Sequence, residues 1–171
     1  MLCFRATRRS GFALVALAMS AAAQAQAAPE RRNFFGDPFF QVSHDIAQCP
    51  MPAGPFITEE ERRVQAHHRA ERGTTCWLAG TCDRPNDYAY DATIAERVKA
   101  AVATSPLLAR TTLWVTVQGR IVFIEGCAAE ESVGLPLESL VRALPDVRQA
   151  VSNVYVGAPL AKPTYKLLTA P

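Results

Sequence analysis

Beyond its first thirty positions this chain of 171 residues has no run of about 18 apolar residues, so an internal membrane-spanning helix is not expected. It lacks C-x-x-C-H, which haem attachment requires, and it lacks the C-x-x-C pairs of common zinc sites. No G-x-S-x-G stands anywhere, so no familiar nucleophile is offered. Histidine is scarce, with only His44, His67 and His68. An excess of either charge is missing too, since 18 basic and 16 acidic residues leave +2. With 49% apolar residues, that balance excludes a wholly disordered chain.

What is there begins with a secretory signal over 1–27. Arg5, Arg8 and Arg9 form its basic start, Phe12 to Ala23 its apolar stretch, and Ala25-Gln26-Ala27 its small-x-small cleavage signal. The stretch is short for a bilayer, which favours a cleaved signal over an uncleaved anchor. Thr7-Arg8-Arg9-Ser10 hints at a twin-arginine signal, but Gly11 displaces Phe12 from its place and favours the general secretory route. Removing the signal leaves 15 basic against 16 acidic residues. A nucleic-acid partner needs a concentrated basic face, and none is visible.

Cys49, Cys76, Cys82 and Cys127 remain, an even number in an oxidising compartment, which reads as two disulfides. Cys76 and Cys82 flank a short segment containing Gly80, where a local bridge is feasible, and Cys49–Cys127 is then the second pair. Such a long loop is worth about 4–5 kcal/mol on the chain-entropy model. The competing possibility is a metal site joining these thiols to the histidines; export favours oxidation.

Residues 28–90 form an extension. Its first part is rich in proline, yet carries Phe34, Phe35, Phe39, Phe40 and Phe56, so it is expected to lie extended against something. Thr58 and Glu61 make a capping box for a polar surface helix over 58–72, stopped by Gly73. His67 and His68 point to different sides of it and suit solvent better than a metal. A cysteine loop over 76–82 follows, with Trp77 expected as an apolar plug.

From Asp91 the pattern is regular. Asp91 is the expected N-cap of a helix to Ala103 with Ile94 and Val98 on one stripe. Residues 111–118 alternate as a strand, Gln118-Gly119 turns the chain, and a second strand runs over 120–125 until Gly126. Leu137, Leu140, Val141 and Leu144 mark a second helix from Pro136 to Leu144, and Val147 to Val156 a third strand. The proline-containing tail over 158–171 is expected to be loose.

This order resembles the BON domain of bacterial envelope proteins over residues 91–157. The resemblance rests on Asp91-x-x-Ile94-x-x-x-Val98, on Leu113-x-Val115-x-Val117-x-Gly119-x-Ile121-Val122-x-Ile124-x-Gly126, and on Leu144-Pro145-x-Val147-x-x-Ala150-Val151-x-Asn153-x-Tyr155-Val156. It implies an α+β fold, a single αββαβ domain with two helices on a three-stranded sheet. It also implies a non-enzymatic module in the periplasm of a Gram-negative bacterium, without cofactor, that binds phospholipid or associates with the envelope. A protein partner in place of lipid is the alternative. No lipid-contacting position carries over. Asp146, where the family commonly has glycine, and Pro136 inside the second helix depart from the pattern and imply a shortened or bent helix.

Both sides of the hairpin are apolar, and an exposed apolar sheet face costs about 25 cal/mol per Å². The aromatic segment 33–57 is therefore expected to pack over the second face, stapled by Cys49–Cys127. For anionic lipid, local patches are available in Arg97, Lys99 and Arg110, or in Arg142 and Arg148. Glu59, Glu60 and Glu61 are explained by the helix N-terminus they occupy, and no catalytic constellation is recognisable.

Overall fold

A computed structural model describes residues 29–168, so the expected signal segment lies outside the described residues. In chain order the elements are β1 (Phe39–His44), α1 (Glu59–Glu71), the short α2 (Thr74–Leu78), α3 (Asp91–Val102), β2 (Thr111–Gln118), β3 (Ile121–Ala128), α4 (Gly134–Arg142) and β4 (Gln149–Val156). The strands form one mixed sheet in the order β1-β2-β3-β4. β1–β2 and β2–β3 are antiparallel, and β4 joins β3 in parallel after the α4 crossover. The fold is α+β, but the sheet has four strands where three were expected. The additional strand comes from the aromatic extension, whose Phe39, Phe40 and Val42 suit a half-buried pleated surface.

Alternation puts Leu113, Val115, Val117, Val122, Ile124 and Ala150 on one face, and α3 and α4 cover it with Ile94, Val98, Val102, Leu137 and Val141. Each large side chain buried there contributes about 1.5–3 kcal/mol. β3 does not stop at Gly126. It runs on to Ala128, and a Cβ at Gly126 would lie 2.1 Å from the Thr112 carbonyl oxygen, so only glycine lets the strands approach this closely.

Asp91 is not an N-cap. It occupies the first turn of α3, and its carboxylate accepts the amides of Gly119 (2.7 Å) and Arg120 (2.8 Å), tying the helix to the β2–β3 turn. Burial raises its pKa to about 6, although those two amides pull the other way. The second helix has Pro136 in its first turn, as expected, where a missing N–H costs little, and it ends at Arg142 rather than Leu144. Asp146 takes φ 69°, in the left-handed region that glycine favours and aspartate tolerates.

The capping box of α1 is present: Glu61 N–H donates to Thr58 Oγ1 (3.2 Å) and Thr58 N–H to Glu61 Oε2 (2.8 Å). None of its residues is buried. It is held by Arg69, whose guanidinium stacks between Phe35 (4.0 Å) and Tyr88 (3.8 Å) and donates to Asp37 at 2.9 Å. Both expected disulfides are formed, Cys49–Cys127 and Cys76–Cys82.

Candidate functional site

The cationic patches suggested for lipid are each met by an acid. Lys99 pairs with Glu96 (2.8 Å), Arg110 with Glu130 (3.2 Å) and Arg148 with buried Asp87 (2.7 Å), while Arg97 meets Asp146 and Arg142 meets Glu138. Asp87 also has Arg72 and Arg120 at 3.7 Å, so Arg148 belongs to a structural ion cluster. The structure does not gather these five cations into one uncompensated field.

The expected acid–base material is likewise dispersed. His44 lies on β1, whereas His67 and His68 lie on α1, with His67 3.5 Å from Glu71. Hydrogen bonds from Arg62 (2.7 Å) and Arg63 (3.3 Å) hold the Glu59 carboxyl down at about 2. That is too acidic to exchange protons efficiently near neutral pH. The capping bond from the Thr58 amide lowers Glu61 as well. Among the described residues no group of three histidine, cysteine or acidic side chains is placed to hold a metal.

The sheet face opposite the helices is built differently from the core face. Residues after β1 cross over it, and Met51 to Ala53 pair with the chain near Leu167: Ala53 N–H donates to the Lys166 carbonyl (2.7 Å) and Leu168 N–H to that of Met51 (3.2 Å). The segment around 33–57 thus divides its work between an edge strand and a strap. As far as Leu168 the tail is not loose, because Tyr165 is buried against Tyr155 and donates to the Pro50 carbonyl at 2.6 Å. Cys49–Cys127 bonds this strap to β3. Gly54, at φ 53°, passes so close to Phe39 that a Cβ would meet the ring at 2.7 Å.

Strap and sheet leave a groove of about 410 Å³. Thr116, Gln118, Phe123, Glu125 and Asn153 line it from the strands, and Ala53, Gly54, Thr164, Tyr165 and Lys166 from the strap. The Thr116 hydroxyl is buried without a hydrogen-bond partner. Burial raises the pKa of Glu125, and the neighbouring Asn153 side chain pulls the other way. Sequence reasoning passed over these residues. Their signal was Glu125 and Thr116 interrupting otherwise apolar strands, but nothing in the pattern said that the tail would return to roof them.

Trp77 is not a plug. It is 47% exposed and Leu78 is 84% exposed, at the end of a helix too short to bury either. The Cys76–Cys82 bond closes this loop, and Thr81 N–H donates to the Cys76 carbonyl (2.9 Å), so the two apolar side chains stand on a locally constrained tip.

No helix among the described residues is long and apolar enough to cross a membrane. Compared with known proteins, the chain matches no family model, no curated protein and no solved structure.

Proposed function

We propose that the chain is an exported, non-enzymatic BON-type module of the periplasm that associates with the phospholipid surface of the envelope. The observation that carries the lipid contact is the exposed Trp77-Leu78 pair on its disulfide-closed tip. Tryptophan is at home at the membrane–water interface, where its ring is buried and its N–H stays wet. The order α3-β2-β3-α4-β4, with α3 and α4 on one sheet face, supports the BON-type assignment. Two disulfides support an oxidising compartment.

Because the arginine and lysine patches are ion-paired, membrane contact through the tip is apolar and insensitive to salt. Flotation of the oxidised protein with neutral and anionic vesicles, at low and high salt, tests this. The expected result is flotation in all four conditions, abolished by Trp77→Ala with Leu78→Ser. Flotation with anionic vesicles at low salt only would overturn the apolar tip in favour of a charge-driven contact. The second reading, a protein-interaction module with a protein partner, is favoured by the same pairing of the cations. Absence of flotation in every condition selects it.

A further inference from the structure

The strap-covered groove holds polar groups that the membrane contact does not use. Glu125 is the half-buried acid at its centre, and no salt bridge reaches it among the described residues. Burial raises its pKa, against an opposing pull from Asn153. Lys166 lines the same groove and forms no salt bridge with Glu125 among the described residues. A carboxylate kept partly dry without a counter-charge is costly unless something positive joins it.

The groove sets acceptor oxygens beside this acid. Gln118 Nε2 donates to Asp37 at 2.7 Å, which leaves its Oε1 as acceptor. Asn153 stands beside Glu125 on the neighbouring strand and lines the groove, with a side-chain carbonyl oxygen to offer. Thr164 Oγ1 already donates to the Asn153 main-chain oxygen at 3.0 Å. Thr116 Oγ1 is 95% buried with its residue and has no partner. The Glu125 carboxylate and these side-chain oxygens line one space, and Phe123 and Tyr165 add ring surface beside them. Donor-rich cations meet such a set with hydrogen bonds, charge and cation–π contact together. A polyol would leave Glu125 without its counter-charge. At about 410 Å³ the space lies within the range of small-ligand pockets and suits a compact group.

We infer that this groove binds a compact organic cation, a primary ammonium or guanidinium group, with Glu125 as its counter-ion and the side-chain oxygens of Gln118 and Asn153 as acceptors. The site is independent of the Trp77 tip and of how the protein meets the membrane.

Calorimetric titration of the oxidised, full-length protein tests it. The probes are 1,4-diaminobutane, arginine and glycerophosphoethanolamine, with 1,4-butanediol as the uncharged counterpart. Saturable binding of at least one amine or guanidinium probe is expected, and none of the diol. The tightest probe separates a free amine from a headgroup ammonium as the source. Glu125→Gln is expected to weaken binding tenfold or more and Asn153→Ala several-fold, while Glu60→Gln, on the exposed face of α1, changes nothing. Diol bound as tightly as diamine, binding unchanged in both groove variants, or no saturable binding of any cation at millimolar concentration would overturn the assignment.

Discussion

The two faces of the sheet are made by opposite means. Under α3 and α4 the strands present Leu113, Val115, Val117, Val122 and Ile124, all buried against helix side chains. On the other side the same strands present Thr116, Glu125 and Asn153 beneath a strap of irregular chain. The first face is closed by side-chain packing. The second is closed by main-chain pairing at Met51–Ala53, a disulfide and one tyrosine, and it leaves space. Packing to crystal-like density is how an interior becomes stable. A face that forgoes it, and keeps an unpaired hydroxyl, is shaped for something other than stability.

The contrast breaks most visibly if the core face tolerates truncation. Ile94 is fully buried between α3 and the strands, so Ile94→Ala removes transfer energy and leaves a cavity. Chemical denaturation should show a loss of about 2–5 kcal/mol with an unchanged m-value. A loss below 1 kcal/mol, on the order of a surface substitution, would mean that the face is looser than its burial indicates.

The strap is tested by its staple. Cys49→Ser with Cys127→Ser releases a crosslink between residues 78 apart, expected to cost about 2–4 kcal/mol. Hydrogen exchange should then rise at Ala53 and Leu168, whose amides bond across the strap, while the amides of β2 and β3 stay protected. Loss of protection throughout the sheet would show that strap and core fold as one unit.

How far the residues announced these two faces follows from the same difference. The core face was legible, because a helix stripe such as Leu137, Leu140, Val141 and Leu144 and the strand alternation from Thr111 are periodic, and periodicity is local. Both disulfides were legible from spacing and compartment. The fourth strand was not, since Phe39 to His44 lies among prolines and has its partner β2 more than sixty residues later. Long-range pairing of an edge strand leaves little trace in local pattern. The Asp91 carboxylate suited a cap, and only the close approach of the β2–β3 turn diverts it. Trp77 was misplaced because an aromatic between two cysteines suits a plug as well as a tip, and burial alone separates them. The groove combines both difficulties, a non-local roof and residues with no motif.

The smallest expected effect has the most informative sign. Thr116 is 5% exposed, and its hydroxyl finds no acceptor or donor among the described residues. Replacing it by valine keeps the shape and removes a polar atom that folding strips of water without compensation. The cost of such a group is about 1–3 kcal/mol by mutation, so Thr116→Val should raise stability by about 1 kcal/mol while Val115→Thr, its neighbour on the helix face, should lower it by more. Parallel denaturation curves of the two variants measure both shifts. If Thr116→Val destabilises instead, the hydroxyl is already satisfied and the two faces differ in composition only. If it stabilises, the threonine is kept against the interest of the fold.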